Sequence, residues 1–289
     1  MNIHLKFTVF FIGLMFLFES QLAAQNEFVG VVVNDKGQPI EFATVYLGKL
    51  SCGTYTNENG KFSFICQESM DSTTDLVISH LGYQSERIKI QKYQQNDTIT
   101  LIPQEFNLNL VEVVSDKSMK MEDVTLDYSI KNPYFYYQSY VESNHQVASR
   151  IANENKVTGY INEIAFKVGK SASIAIPMRM YFYDLNEECQ CPGNLLHSRE
   201  VLVRIKSGKN KVALSNYKIK TPENDFYVSF EWLRSSNKNA KEHDFSIGMI
   251  PYESKYPMLE RKGGMEWQKL DGMSKSRILT KIKVSTGKR

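Results

Sequence analysis

The sequence predicts an all-β protein made of two β-sandwiches, a small one followed by a larger one of jelly-roll type. Three observations carry this. Short apolar segments alternate with polar residues at a period of two, the spacing that turns one face of a strand inward. Turn signals rich in Asn, Asp and Gly recur between those segments. Aromatics are abundant, with 16 Tyr and 16 Phe in 289 residues, which suits broad side chains packed on a pleated surface. No window combines a sustained helical repeat with helix caps.

The chain opens with Lys6, an almost unbroken apolar run over 7–18, and then Leu22-Ala23-Ala24 before Gln25. A basic start, a short apolar stretch and a small-residue site are the parts of a signal peptide, so residues 1–24 are assigned to one. The run is short for a membrane-spanning helix. No Cys follows it to carry a lipid anchor, and no later run has spanning length. The mature chain is expected to be exported, with no transmembrane segment.

The first domain is assigned to 25–114. Strands are expected at 28–33, 42–47, 61–65, 76–79, 87–90 and 98–102. Gly37, Gly60 and Gly82 mark structural turns where a side chain would strain the backbone. Pro39 presets φ ahead of a strand. Asn57, Glu58 and Asn59 offer oxygen ligands of the kind calcium takes, but too few carboxylates converge. They read instead as a turn that caps its own backbone.

Residues 115–133 are charged and lack clean periodicity, and are read as a linker with room for a strand. The second sandwich is assigned to 134–289, with strands at 157–168, 178–183, 199–205, 226–232, 246–250 and 278–284. The run 226–232 is the clearest. Phe226, Val228, Phe230 and Trp232 share one face, and Tyr227, Ser229 and Glu231 the other.

The four cysteines suit an oxidising compartment. Cys52 and Cys66 flank an expected hairpin and are the candidate disulfide. Cys189 and Cys191 are separated by one residue, so a bond would close a very tight ring, and free thiols are expected there. The spacing holds no Cys-x-x-Cys pair, which speaks against a structural zinc site.

The formal net charge is +3 and the basic residues are spread along the chain, which gives no nucleic-acid footprint. His197-Ser198-Arg199-Glu200 is the one string that resembles a catalytic zinc element, the His-x-x-Glu of zinc carboxypeptidases. It sits in the run 195–205, where a strand would send His197 and Glu200 to opposite faces. The α/β catalytic domain it would require has no counterpart in this chain. His80 and His145 lack an acidic or Cys partner at ligand spacing, and His80 reads as a surface residue at a strand end. Glu187-Glu188 reads as solvated loop charge. No nucleophile elbow or phosphate loop occurs. The expectation is no catalytic residue, no metal and no cofactor.

Aromatics raise a separate candidacy. Tyr134, Tyr136 and Trp267 could stack on sugar rings, whereas Trp232 is in phase with the core.

The first domain also resembles a known family. Gly37-Gln38-Pro39-Ile40 precedes Ala43-Thr44-Val45. Gly53-Thr54-Tyr55-Thr56 leads through Asn57-Glu58-Asn59 into Gly60-Lys61-Phe62, and Ser79-His80-Leu81-Gly82-Tyr83 follows. In this order the pieces resemble the carboxypeptidase-regulatory-like, transthyretin-type domain of Bacteroidetes envelope proteins, which implies a seven-stranded sandwich whose last strand is 108–114. Residues 178–183, 192–196, 225–232 and Trp267 resemble proteins in which that domain precedes a sandwich of unassigned function. The resemblance implies a non-catalytic binding or structural module in the periplasm or at the outer surface of a Gram-negative cell, with an envelope protein or glycan as partner. A carbohydrate-binding protein is the alternative, and a zinc hydrolase the second. That domain also precedes outer-membrane transporter barrels, but the remaining residues are too few for a 22-stranded barrel. Asp71-Ser72-Thr73 and Asp97-Thr98-Ile99 resemble O-glycosylation acceptor sequences of the same bacteria.

Overall fold

Two turns of one design shape the first sandwich. Asn34 Oδ1 accepts hydrogen bonds from the backbone N–H of Lys36 and Gln38, and Asn57 Oδ1 accepts from Asn59 and Lys61. Each turn closes on a glycine at positive φ, Gly37 at 74° and Gly60 at 70°. The Asn side chain thus serves its own turn, as the capping reading expects. Gly82 also lies at positive φ. At Gly60 space adds to conformation, because a Cβ there would stand 2.4 Å from the Val32 carbonyl oxygen. Gly60→Ala should therefore cost roughly 1–3 kcal/mol in chemical denaturation, and an unchanged midpoint would refute this.

The structure is a computed structural model. It describes residues 26–104, 121–127, 132–139, 145–169, 176–233, 245–251, 257–263, 265–273 and 275–287. The expected signal peptide and the expected strand at 108–114 lie outside these residues. No helix among the described residues is long and apolar enough to cross a membrane.

The first sandwich holds β1 (Asn26–Asn34), β2 (Thr44–Leu47), β3 (Gly53–Tyr55), β4 (Lys61–Cys66), β5 (Asp75–Ser79), β6 (Glu86–Lys89) and β7 (Asp97–Leu101). One sheet has the order β4-β1-β7 and the other β3-β2-β5-β6. β1 and β7 run parallel, and the remaining pairs are antiparallel. Alternation on β1 and β4 sends Phe28, Val32 and Phe62 inward against Val45, Leu47, Leu76 and Ile78. Cys52 and Cys66 form a disulfide with Cα atoms 5.5 Å apart. Cys52 precedes β3 and Cys66 ends β4, strands of different sheets. The bond therefore ties sheet to sheet rather than spanning a hairpin.

Among the described residues the second sandwich holds fifteen strands. The first sheet takes β10 (His145–Ile151), β12 (Ile176–Asn186), β13 (Cys191–Leu195), β14 (Val201–Ile205), β17 (Phe226–Trp232), β19 (Leu259–Lys262) and β20 (Gln268–Lys269). Its order is β13-β12-β17-β10-β19-β20, with β14 also on β12. The second takes β8 (Met121–Asp127), β9 (Phe135–Ser139), β11 (Gly159–Val168), β15 (Gly208–Ala213), β16 (Lys220–Thr221), β18 (Phe245–Pro251), β21 (Ser276–Ile278) and β22 (Thr280–Gly287). Its order is β21-β18-β11-β22-β8, with β15 and β16 on β11 and β9 on β18. The chain crosses repeatedly from one sheet to the other, which gives the jelly-roll-like character. Phe226, Val228, Phe230 and Trp232 form the core with Ile164, Phe166, Val168 and Ile282 of the facing sheet. Phe166 and Phe230 meet edge to face at 5.2 Å.

Two readings change here. The segment assigned as a linker does hold a strand, β8, and because it pairs with β22 over seven residues the second sandwich starts before residue 134. The run 199–205 is shorter than expected. Residues 196–200 form a bend between β13 and β14, so His197 and Glu200 do not share a strand.

Candidate functional site

Strand β17 is buried along its whole length. Its inner residues fill the core, but Tyr227, Ser229 and Glu231 face outward and are covered too. What covers Glu231 is the first sandwich. Tyr55 of β3 donates its hydroxyl proton to Glu231 Oε1 at 2.8 Å, and Tyr181 of β12 donates to Oε2 at 2.7 Å.

Arg179 stands beside Glu231 because β12 and β17 pair in that register. Its Nη1 donates to Glu231 Oε2 at 3.1 Å, to Tyr181 at 3.3 Å and to Thr44 Oγ1 at 3.4 Å. Its Nη2 donates to the Phe42 carbonyl oxygen at 2.7 Å, and its Nε to Glu200. Phe42 holds a left-handed backbone, φ 57°, in the bend that leads into β2. His80 Nε2 lies 3.4 Å from Glu200 Oε2. Thus Phe42, Thr44, Tyr55 and His80 of the first sandwich converge with Arg179, Tyr181, Glu200 and Glu231 of the second. An apolar seam of Phe42, Tyr55, Leu202 and Leu233 runs beside them. Nearby, Gly263 packs against the first sandwich, where a Cβ would lie 3.3 Å from the Leu50 carbonyl oxygen.

Burial works against the charge on Arg179. The partner groups Tyr181, Glu231, Glu200 and Tyr55 outweigh it, and the guanidinium is held firmly protonated. Burial also acts to raise the Glu200 carboxyl. Contact with His80 and Arg179 overrides this and brings it down to about 2. Burial pushes the Tyr55 and Tyr181 phenols well above their ordinary value. The cluster is therefore ionised at its Arg and Glu200 and neutral at its phenols.

The outer face continues as a second polar layer. Gln146 Oε1 accepts from Ser229, Arg261 and Tyr183 at 3.2, 3.1 and 3.3 Å. Trp267 is half-buried there. Arg261 lies 4.6 Å over its ring and Tyr183 meets it edge-on at 5.9 Å. One face of Trp267 is thus taken by the protein itself. Tyr134 and Tyr136 are 73% and 42% exposed, and Tyr136 sits on β9 of the other sheet. The three aromatics read as a candidate sugar platform are not brought together.

The histidines also differ from expectation. His197 is buried. Its Nδ1 is 2.8 Å from the Arg199 carbonyl oxygen and its Nε2 accepts from the Phe182 N–H at 3.2 Å. Both nitrogens are engaged by backbone, and burial lowers its pKa. Glu200 turns instead to Arg179. His80 is a partner across the two sandwiches rather than a surface residue. His145 lies 2.8 Å from Glu260, a partner that sequence spacing cannot reveal. Cys189 and Cys191, expected as free thiols, are bonded to each other with Cα atoms 5.2 Å apart, because the turn folds back within disulfide reach.

The first sandwich can now be placed among known proteins. Residues 28–115 match the CarboxypepD_reg-like domain. The regulatory-like domain thus supplies one half of the Arg179 cluster and a sandwich outside the match the other half. No curated protein matches the chain. Among solved structures, the cysteine protease and lectin-like domains of Cwp84, a surface layer associated protein of Clostridium difficile, are 10% identical. That match covers 85% of this chain and 59% of the other, with TM-score 0.40. A structure of the Gt strain of infectious bursal disease virus is 12% identical, covers 90% and 62%, and has TM-score 0.29. This chain thus spans less than two thirds of the length of either.

Proposed function

We propose that the chain is an exported, non-catalytic protein of the cell envelope whose regulatory-like domain is fixed against the second sandwich, so that both act as one rigid interaction module. The observation that carries the reading is the Arg179 cluster. Arg179 and Glu231 each leave only 2% of the side chain exposed, they bond to each other, and both also reach the first sandwich, Arg179 at Phe42 and Thr44 and Glu231 at Tyr55. Such an arrangement suits holding two bodies in register rather than turning over a substrate. The signal-peptide pattern of residues 1–24 supports export, and the regulatory-like domain supports an envelope setting. Fractionation of native cells followed by crosslinking tests it. The protein is expected in the envelope fraction, in a discrete crosslinked species. A cytoplasmic location, or no crosslinked species, refutes the reading.

A carbohydrate-binding role is favoured by one observation, the exposed rings of Tyr134 and Tyr136. On a glycan array, wild type should bind a ligand that Tyr134→Ser/Tyr136→Ser loses by about fivefold or more, as expected for aromatic contacts of 0.5–1.5 kcal/mol each. Equal binding by both proteins removes this reading. Trp267 is unsuitable for the test, since its substitution disturbs packing against Tyr183.

A further inference from the structure

The turn between β12 and β13 carries the second disulfide, Cys189–Cys191, closed over the single residue Gln190. We propose that this bond is a thiol–disulfide exchange site that oxidises accessible thiols, a role independent of the reading above.

Three features support it. First, the two sulfurs differ in access: Cys189 is exposed and Cys191 half-buried, so an incoming thiolate has one open target. Second, Gln190 between them is held at φ 54°, a left-handed conformation that is costly for a residue with a side chain. Opening the bond releases a constraint on that conformation. Third, the turn is anchored by other means. Tyr227 donates its hydroxyl to the Gln190 carbonyl oxygen at 2.6 Å, and Arg150 Nη1 donates to Gln190 Oε1 at 2.9 Å. Gln190 Nε2 donates to the Glu187 carbonyl oxygen at 2.7 Å. The pairing of Asn186 with Cys191 closes the hairpin below. With these in place the two thiols stay neighbours after reduction, so the bond can close again. A loop this short also gains little from the entropy of crosslinking, so the fold does not depend on it.

The chemistry balances as follows. A thiolate RS⁻ attacks Cys189 Sγ, an RS–Sγ bond forms, and the Cys189–Cys191 bond breaks. Cys191 leaves as thiolate and takes a proton from water. A second thiolate, from the same dithiol or another thiol, attacks the substrate sulfur of the mixed disulfide and expels Cys189 as thiolate. Two substrate thiols are oxidised to one disulfide, and the protein disulfide is reduced to two thiols.

Cys52–Cys66 is the internal reference. Its loop is longer, Cys66 is buried, and it ties two sheets together. The folded full chain is equilibrated over a series of reduced-to-oxidised glutathione ratios, quenched by alkylation, and each pair is read by mass. Cys189–Cys191 should reach half-reduction where about nine-tenths of Cys52–Cys66 remains bonded, a separation of roughly tenfold in equilibrium constant. Opening of both pairs together, or of Cys52–Cys66 first, overturns the proposal. In single variants treated with oxidised glutathione, Cys191→Ser should form a glutathione adduct at Cys189, releasing one reduced glutathione, at least about tenfold faster than Cys189→Ser forms one at Cys191. Equal rates overturn the assignment of Cys189 as the attacked sulfur. Under anaerobic conditions a peptide with two cysteines should be oxidised at about one equivalent per protein, and not by Cys189→Ser/Cys191→Ser. A peptide left reduced by wild type overturns the activity, and this arm needs no variant to fold.

Discussion

Arg179→Ala is expected to destabilise the protein by about 3–5 kcal/mol, the range for removing one partner of a buried ion pair. The reason is what remains behind. Glu231 is as deeply buried as Arg179, and without the guanidinium its charge keeps only the phenols of Tyr55 and Tyr181 as donors. The Phe42 carbonyl oxygen loses its Nη2 donor and stays enclosed, at a further desolvation cost. The hydrogen bonds that Arg179 makes to Phe42 and Thr44 join the two sandwiches, so denaturation should change in kind as well as in midpoint. Wild type is expected to unfold in one transition and Arg179→Ala in two, the regulatory-like domain separating from the second sandwich. Limited proteolysis should then release a fragment near the size of residues 26–104. A destabilisation below about 1 kcal/mol, as for an exposed pair, would show that the cluster does not hold the domains. A double-mutant cycle with Glu231→Gln isolates the pair. Because both groups are buried together, the double variant should lose less than the sum of the two singles. Strict additivity would sink the coupling.

Much of the frame was legible in the sequence because strands announce themselves by alternation. The inward set Phe226, Val228, Phe230 and Trp232 falls where its period places it, and the Asn34 and Asn57 turns act through the side chains that suggested them. The cluster was not legible, for a physical reason. Alternation marks which residues oppose a core, and it treats the opposite face as solvent. Tyr227, Ser229 and Glu231 are therefore placed opposite the core with nothing to say what meets them, and no pattern singles out Arg179 among Met178, Met180 and Phe182. The first sandwich meets Glu231 and Arg179 there, and its contacts join residues up to 176 positions apart, while Tyr227 and Ser229 are covered by residues of the second sandwich itself. A faint signal existed, in that β12 alternates Arg179, Tyr181 and Tyr183 on its outer face, an unusually aromatic choice for a surface. Strand β10 was hidden by the same effect. Both of its faces are buried, one of them carrying Gln146 and Arg150, so polar residues diluted its pattern. The segment around β8 reads as a linker with room for a strand, rather than as part of the sandwich, because its charged residues lie on the strand that closes the sheet edge beside β22.

Lowering the pH should cost the fold roughly 3 kcal/mol through Glu200 alone. Its carboxyl titrates at about 2 in the folded protein against an ordinary value of 4.5, a gap of about 2.5 units at 1.36 kcal/mol each. A depressed folded value means that the stabilisation is complete above 4.5 and is lost as pH falls from there toward 2. Burial opposes the shift, and the contacts with His80 and Arg179 produce it, so the acid loss reports on the same interface as Arg179→Ala. His197 adds an earlier component. Its burial favours the neutral ring and depresses its folded value below 6.5, so its contribution is present above 6.5 and declines as pH falls. The alkaline side has the opposite sign. Burial raises Tyr183 from 10.0 to about 12, and its stabilisation is complete below 10 and lost as pH rises through 12. Denaturation across this range should show a plateau between these limits. In Glu200→Gln the part of the acid loss below pH 4.5 should shrink, while the part starting near 6.5 persists. If Glu200→Gln keeps the full acid loss, the carboxylate is not what ties the sandwiches together at low pH.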